Sequence, residues 1–348
     1  MPVLALSKYS FEPLGCRLLS LGGDMQRREF ITLLGGTAVA MPIAVHAQEP
    51  VKMLRVGAVT GQPRNSSFWQ PFEQRMTELG YQDGKNLVFE LITAQNIDEY
   101  EPGYRELVTR NVDIILAPGP EIALKSALAT STTTPIVMIA IDYDPLARGY
   151  VTSLARPTGN VTGVFLQQIE LTEKRLQLLK SAFPDMQAAT VFWDRITTDQ
   201  WKAAQRAATA LRLQLSGVEF LDPPFDYEKA LAQAAPDSRG IVFVLVSPFF
   251  FRDRARLAES ALRNRVLTMF GFREFVDAGG LMSYGASVSG MLRLAARYVD
   301  RIARRVKPAD LPIEQPTKFE LVINLKTAKA LGVTFPQSFL ATADEVVE

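Results

Sequence analysis

Short apolar runs alternate with longer amphipathic runs from residue 54 onward. The apolar runs are rich in Val, Ile, Leu and Phe, which is typical of strands buried in a parallel sheet. The amphipathic runs between them have helical spacing. In the first half of the chain this pattern predicts strands at 54–60, 87–94, 113–119 and 135–141, and helices at 68–79, 98–110 and 121–129. The βαβαβαβ order predicts a parallel sheet with helices on both faces.

The alternation pauses and then resumes in the second half. Residues 144–165 contain several Gly and Pro and predict no helix. After this irregular joint the pattern predicts strands at 188–194, 215–221, 240–246 and 267–272, and helices at 171–182, 198–211, 227–235 and 251–263. The fold class is therefore α/β, with two doubly wound parallel-sheet lobes and a cleft between them.

The C-terminal part does not add another unit of the same kind. Residues 279–287 predict a glycine-bracketed strand, 291–306 an amphipathic helix, and the residues around Leu321 a strand followed by a helix. We expect the chain to cross between the lobes near Val161, Leu281 and Leu311, so that three strands form a hinge. The predicted lobes are 51–162 plus 280–311, and 163–279 plus 312–348.

The segment "MQRREFITLLGG", which begins at Met25, has the pattern of an export signal. Arg27 and Arg28 precede an apolar stretch, and small residues at Val45 and Ala47 fit a cleavage site. Residues 25–47 are thus predicted to be a signal peptide of the twin-arginine type, cleaved near Ala47. A permanent membrane anchor is the alternative, which the glycines and the short apolar length disfavour. Residues 1–24 are predicted to be an upstream extension without a function.

Composition narrows the classes of function. The chain has 38 basic and 37 acidic residues and a net charge of +1, so no overall field favours nucleic acid. Its single histidine, His46, and its single cysteine, Cys16, both precede the predicted cleavage site. The mature part would therefore lack the residues for Ser-His-Asp or Cys-His catalysis and for most zinc sites. Phosphate-binding and dinucleotide-binding glycine motifs are also absent from the sequence, so we expect neither a cofactor nor a metal.

Candidate binding residues follow the predicted strands, because parallel strands present ligand groups at their carboxyl ends. In the first half these candidates are Ser66, Ser67 and Phe68, then Gly119, Pro120 and Glu121, then Asp142, Tyr143 and Asp144. Ser66 and Ser67 are also typical helix caps, Glu121 suits a first helical turn, and the two aspartates suit a turn before Pro145. Capping and ligand binding therefore both remain open for these residues.

In the second half, aromatic residues recur beside a polar residue at the predicted strand ends. The candidates are Trp193 with Asp194, Ser247 with Phe249, Phe272, and Tyr284 in the glycine-bracketed strand. Aromatic residues at such places are usually part of a core. Their pairing with polar neighbours predicts a ligand that has both apolar and charged parts.

Four stretches of the sequence resemble a known family. They are "RREFITLLGG", "DPLARGYVTSLARPTGNVTGV", "REFVDAGGLMSYG" and "KPADLPIEQPTKFELVINLKTAKALG". They resemble the ABC-transporter substrate-binding proteins of the tryptophan/tyrosine-binding type, which have the type I periplasmic-binding fold. The resemblance extends from Met25 to Glu348. The chain departs from the family pattern at Asp194, where Asn is frequent, and at the Gly119-Pro120 turn.

The resemblance implies a periplasmic protein that captures a small solute between two lobes. It would deliver the solute to an ABC permease that is driven by a separate cytoplasmic ATPase, and it would not be an enzyme. We expect a monomer whose solute is an amino acid or a related zwitterion with an aromatic or branched side chain. In this hypothesis Ser66 and Ser67 hold the carboxylate, Asp142 or Asp194 holds the ammonium, and the aromatic candidates flank the side chain.

Two other functions stay open at this point. An exported sensor module would use the same cleft to present a ligand to a membrane receptor. An exported hydrolase could use Asp142 and Asp144 as paired carboxylates.

Overall fold

The computed structural model describes residues 53–157, 159–237 and 240–348. The predicted signal peptide, with Arg27, Arg28 and the cleavage site near Ala47, lies outside the described residues, as does the predicted extension 1–24. None of the helices in the described residues has the length and apolar character needed to span a membrane.

Five parallel strands form the sheet of the first lobe, in the spatial order β2-β1-β3-β4-β5. Their bounds are Leu54–Thr60 (β1), Leu87–Thr93 (β2), Ile114–Gly119 (β3), Ile136–Ala140 (β4) and Val161–Phe165 (β5). The fifth strand lies inside the segment predicted to be an irregular joint. Sequence pattern missed it because Gly163 interrupts its apolar run. That glycine has φ +139°, and a Cβ atom there would lie 2.0 Å from the carbonyl oxygen of Met138 on the neighbouring strand.

Seven strands form the sheet of the second lobe, in the order β12-β11-β10-β9-β8-β6-β7. Their bounds are Ala188–Asp194 (β6), Gln214–Phe220 (β7), Ile241–Val244 (β8), Leu267–Phe270 (β9), Met282–Ala286 (β10), Phe319–Asn324 (β11) and Glu345–Val347 (β12). All neighbours are parallel except β10 and β11, which are antiparallel. The two sheets confirm the predicted α/β class with two parallel-sheet lobes.

Helices cover both sheets. Those of the first lobe are Gln70–Glu78 (α1), Tyr100–Thr109 (α2) and Glu121–Thr130 (α3). The second lobe has Gln168–Ala182 (α4), Thr198–Leu211 (α5), Tyr227–Asp237 (α6), Pro248–Arg252 (α7), Arg254–Arg263 (α8) and Arg273–Asp277 (α9). Three more follow, at Val288–Ala303 (α10), Leu325–Leu331 (α11) and Gln337–Leu340 (α12). The single helix predicted at 251–263 is two helices, α7 and α8, which meet at Asp253.

The chain passes between the lobes three times. It leaves β5 for α4 through Leu166 and Gln167, and it returns from β10 to α10 through Ser287. Helix α10 packs on α1 of the first lobe, where Tyr81 Oη donates a hydrogen bond to Asp300 Oδ1 at 3.1 Å. The third crossing lies between residue 314, which forms a bridge with β5, and the start of β11.

These positions differ from the predicted lobe boundaries at two places. Strand β10 was expected in the first lobe, but it pairs with β9 and β11 in the second sheet. Residues 163–165 were expected in the second lobe, but they pair with β4 in the first sheet. Both strands carry a glycine at a close backbone contact, Gly163 and Gly285, so the apolar pattern did not reveal where each strand is paired.

Candidate functional site

A cavity of about 50 Å³ lies between the two lobes, where the carboxyl ends of the strands face each other. Its lining is mainly apolar and comes from both sheets and from α10. The side chains that define its shape are those of Phe68, Ile139, Ile196, Phe251, Phe272 and Met291. The cleft predicted from the two βα repeats is therefore present, and its inner part is a nearly apolar cavity.

Asp142 is the only ionisable side chain among the described residues that line this cavity. It follows β4 and is 7% exposed, and its Oδ1 accepts the backbone N–H of Glu121 at 3.0 Å. Burial raises the pKa of the Asp142 carboxyl well above its usual value, and the Glu121 and Asp194 carboxylates raise it further. No lysine or arginine in the described ranges forms an ion pair with Asp142. A cationic group would therefore find an acid here that has no counter-ion of its own.

A second, charged pocket of about 400 Å³ adjoins the cavity at the mouth of the cleft. The two share Pro120, Asp142 and Ile196. The charged side chains that line the mouth pocket but not the inner cavity are Lys125, Arg148 and Arg195, with Glu121 and Asp199. The cleft thus divides into an apolar interior and a polar mouth, and Asp142 lies at the boundary between them.

Contacts between the lobes surround the cavity. Gln62 Nε2 donates a hydrogen bond to the carbonyl of Pro248 at 2.9 Å, and the rings of Phe68 and Phe251 meet edge to face with centroids 5.6 Å apart. At the mouth, Arg148 of the first lobe forms an ion pair with Asp199 of the second. These polar and aromatic contacts join the two lobes across the cleft, and a change in lobe angle would break them.

Six of the predicted site residues line the inner cavity. They are Phe68, Gly119, Pro120, Asp142, Ser247 and Phe272. A seventh, Glu121, lies at the mouth, where Tyr150 Oη donates to its carboxylate at 2.8 Å. Gly119 has φ +92°, a conformation that favours glycine and turns the chain into α3.

Ser66 and Ser67 do not line the cavity. Ser66 Oγ donates to the carbonyl of Pro63 at 2.7 Å and caps no helix N–H, so the capping role is wrong for it. Ser67 Oγ accepts a hydrogen bond from Arg254 Nη2 of the second lobe at 3.4 Å. In this structure both hydroxyls are thus engaged with protein groups.

Tyr143 and Asp144 face away from the cavity. Tyr143 is buried in the first lobe, with its hydroxyl 3.9 Å from the sulfur of Met138. The Asp144 carboxylate accepts the backbone N–H groups of Leu146 at 2.8 Å and Ala147 at 3.0 Å, which is the turn role left open above. Asp142 and Asp144 thus do not face each other across a cavity as a catalytic pair would.

The remaining second-lobe candidates do not line the inner cavity. Asp194 accepts the N–H of Thr197 at 3.1 Å and the hydroxyl of Ser247, so it holds Ser247 at the cavity wall. Burial raises the pKa of the Asp194 carboxyl. Phe249 lies in a neighbouring groove beside Asp194. Trp193 stacks on Trp201 at 6.0 Å, and Tyr284 stacks on Phe319 at 6.2 Å.

Several cavity residues were not predicted. Gln62 lies just beyond the end of β1, and Ile196 lies in the turn after β6. Val288, Met291 and Leu292 come from the first turns of α10. The apolar stripe of α10 is typical of a helix packed on a core, and nothing in that stripe distinguishes the part that faces the cavity.

Glu274, two residues after Phe272, gives a prediction about pH. Burial raises the pKa of its carboxyl from 4.5 to about 7, and its Oε2 has no hydrogen-bond partner among the described residues. The folded state holds this proton more tightly than the unfolded state, so stability should fall as pH rises from 4.5 to 7. We expect Glu274→Gln to remove this slope and, since the group is partly exposed, to raise the free energy of unfolding at pH 8 by about 1–2 kcal/mol.

Urea unfolding between pH 4.5 and pH 8 would measure the Glu274 effect. Glu259→Gln is the control, because Glu259 is an exposed carboxylate in an ion pair with Arg263. A Glu274→Gln variant with the same pH slope as the parent would contradict the prediction.

Comparison with known proteins gives the family. A family model described as ABC transporter substrate binding protein matches residues 60–347. The chain is also similar to a tyrosine-binding protein of Clostridioides difficile, with 23% identity over 289 residues that cover 81% of each protein.

Solved structures give the same fold. A conserved domain protein from Vibrio cholerae matches with a TM-score of 0.75 and 22% identity, over 85% of this chain and 100% of that one. A structure from Streptococcus pneumoniae, described as an ABC domain in complex with L-Trp, matches with a TM-score of 0.73 and 19% identity. This match also covers 85% of this chain and 100% of that one. These likenesses confirm the two-lobed fold.

Proposed function

The chain belongs to the ABC transporter substrate-binding protein family, and from this premise we propose that it is the solute-capturing component of an ABC importer. It would act outside the cytoplasm, after export through the signal peptide predicted at residues 25–47, and pass its solute to a membrane permease. The permease would be driven by a separate ATPase subunit. In this role the cleft binds the solute and does not convert it chemically.

The observation that carries the proposal is the distribution of charge in the cleft. An apolar cavity with one buried, unpaired carboxyl suits a solute that has an apolar group and one ammonium. An ion pair in such a desolvated place is much stronger than one in water. We therefore propose that Asp142 binds the ammonium of the solute and that the aromatic and branched residues around it enclose the apolar part.

The solute's carboxylate needs a different location from the one predicted from the sequence. Ser66 and Ser67 do not line the cavity, and no cation lines it among the described residues. The mouth pocket has Lys125, Arg148 and Arg195, and it adjoins Asp142. We propose that an amino acid lies with its side chain in the apolar cavity and its carboxylate toward the mouth.

Binding of an amino acid requires the lobes to separate and close. Ligand pockets usually enclose about 300–1,000 Å³, and the inner cavity is about 50 Å³. Three short crossings connect the lobes, which is the arrangement of a hinge. A solute that contacts both lobes at once would favour the closed form, because it binds that form more tightly.

The names of the related proteins support an amino acid as solute. One relative is a tyrosine-binding protein, and one structural neighbour holds L-Trp. We propose the class of aromatic and branched amino acids for this chain.

A thermal-shift screen tests the proposed solute class. We expect Trp, Tyr, Phe, Leu or Ile to raise the melting temperature, since a ligand at 100 times its Kd adds about 2.7 kcal/mol of stability. Sugars and simple carboxylates are the controls, because they lack an ammonium. If sugars stabilise the protein and amino acids do not, the proposal is wrong.

The ion pair across the mouth gives a second prediction about solute exchange. Asp199→Ala removes the link between Arg148 and Asp199 and leaves Arg148 in the mouth pocket, and we expect the solute to dissociate about two to five times faster, as for a half-exposed ion pair. Stopped-flow fluorescence would measure the rate. Lys202→Ala is the control, because Lys202 pairs with Asp199 at 3.7 Å within one lobe. Equal rates in the parent and the Asp199 variant would show that the pair does not restrain opening.

A further inference from the structure

Arg175, on α4, is a buried cation whose described hydrogen bonds go to uncharged groups. Only 1% of the surface of Arg175 is exposed to solvent. Its Nε donates to the carbonyl of Tyr284 at 2.5 Å, and its Nη2 donates to the carbonyl of Gly271 at 3.2 Å and to Gln168 Oε1 at 3.4 Å. Burial lowers the pKa of Arg175 to about 9, so the side chain is still charged at neutral pH. A buried charge without a counter-ion is costly, so stability alone is a poor account of an arginine here.

The two strands above Arg175 meet unusually closely. A Cβ atom on Gly285 would lie 1.9 Å from the carbonyl oxygen of Gly271, and 3.2 Å from Arg175 Nη2. Glycine at this position lets the ends of β9 and β10 come together over the guanidinium. Arg175 therefore holds both strand ends through their carbonyl groups.

A buried hydrogen-bond chain continues from Arg175 to the cavity wall. Gln168 Nε2 donates to Gln200 Oε1 at 3.2 Å, and Gln200 bonds both the N–H of Val246, at 3.0 Å, and its carbonyl, at 2.9 Å. Gln168 and Gln200 are 1% and 0% exposed. Because Val246 lines the cavity, these hydrogen bonds connect Arg175 with the wall of the binding site.

The same set of hydrogen bonds anchors the ends of two of the three crossings. Gln168 is the first residue of α4 and directly follows the crossing at Leu166 and Gln167. Tyr284 lies in β10, just before the crossing at Ser287. Arg175 thus fixes, within the second lobe, the ends of both segments about which the lobes would turn.

We propose that Arg175 is a positioning residue for lobe closure, which confines the bending to the crossings and keeps the second lobe rigid as it turns. The proposal rests on the lobe movement proposed above, and it does not depend on which solute binds. Loss of the Arg175 hydrogen bonds would let the ends of β9, β10 and α4 move separately. The ligand-free protein would then adopt a wider range of lobe angles.

Distance measurements between the lobes test this role. Cys16→Ser would remove the only cysteine of the chain. Ala129→Cys on α3 and Gln205→Cys on α5, both exposed, would then carry spin labels on opposite lobes. Pulsed electron paramagnetic resonance would give the distance distribution of the ligand-free protein, and urea unfolding would give the stability of each variant.

The variants are Arg175→Met, Arg175→Lys and a control, Thr190→Val. Thr190 is also buried in the second lobe, but its hydroxyl contacts Ser216 at 3.1 Å and it is not part of the chain from Arg175. We expect Arg175→Met to widen the distance distribution, with the population of minor lobe angles raised about tenfold relative to the main one, as for loss of a hydrogen bond to a charged group. The lysine variant should show a smaller change, and Thr190→Val should lower stability without widening the distribution.

A distance distribution of Arg175→Met equal to that of the parent would overturn the proposal. So would equal widening by Thr190→Val, because Arg175 would then act only through overall stability. If Arg175→Met does not fold, the distance distribution of Arg175→Lys is the test. Lysine keeps the positive charge, but its ammonium cannot reproduce the planar arrangement of N–H donors of the guanidinium. Failure of amino acids to bind would leave this measurement unaffected, because no solute is present in it.

Discussion

Asp142→Asn is expected to lower the affinity for the amino-acid solute by about 30-fold to 4,000-fold, since removal of one partner of a buried charge pair costs about 2–5 kcal/mol. Asn keeps the shape of the side chain and an oxygen that can accept the N–H of Glu121, so the start of α3 should be preserved. The variant also removes a buried, unpaired acid, so the ligand-free protein should be at least as stable as the parent. Isothermal titration calorimetry with the best solute from the thermal screen would measure the loss.

Asp144→Asn is the matched control for Asp142→Asn. The residue is two positions away, and its carboxylate accepts backbone N–H groups of a turn outside the cavity. We expect its effect on affinity to be within about threefold, because the turn hydrogen bonds are local. If Asp142→Asn binds the solute as well as Asp144→Asn does, the ammonium does not pair with Asp142 and the proposed orientation of the solute is wrong.

The raised pKa of Asp142 adds a pH test to the same experiment. An ammonium binds the charged carboxylate, so affinity should fall as pH falls through the pKa of Asp142, which lies well above the usual value for Asp. The Asn variant should show no such fall. A pH-independent affinity in the parent would mean that the solute interacts with the protonated acid.

Gly163→Ala is expected to lower the free energy of unfolding by more than about 3 kcal/mol, the range of substitutions that force a backbone clash. The added methyl group would lie 2.0 Å from Met138 O and 2.7 Å from Met138 N, and these backbone atoms are held in the sheet. The φ of +139° is also one that alanine rarely adopts. Urea unfolding would measure the loss of stability.

Gly84→Ala separates the two causes of that loss. Gly84 also has a positive φ, +79°, but no atom lies within 4 Å of its Cβ position. Its substitution should cost only about 1–2 kcal/mol, the cost of a left-handed conformation. Equal losses at both glycines would mean that the sheet moves aside at Gly163 and that β4 and β5 are less rigid than their pairing indicates.

The sheets could be predicted from the sequence because their strands are continuous runs of branched and aromatic residues. The exceptions have a physical reason. β5 has a glycine at its centre, so the pattern of residues 161–165 is weak although every residue is buried. The antiparallel pairing of β10 with β11 depends on where the chain crosses between lobes, which no local pattern records.

The site was harder to predict than the sheets. A strand end indicates which edge of the sheet a residue is near, but neighbouring side chains point to opposite faces. Trp193, near the end of β6, packs against Trp201, whereas Ile196, in the turn that follows, lines the cavity. The roles of Ser66 and Asp194 depend on partners at Pro63, Thr197 and Ser247 that become neighbours only in the folded chain.

The three crossings have a consequence for the order in which the protein is made. The first lobe consists of β1 to β5 and their helices together with α10, and the second lobe is complete only when β11 and β12 have been added. A chain that emerges from the ribosome therefore cannot finish its first lobe before most of the second has been synthesised. The two lobes become complete within the last part of translation, and a single cut in the chain would release neither of them as a whole unit.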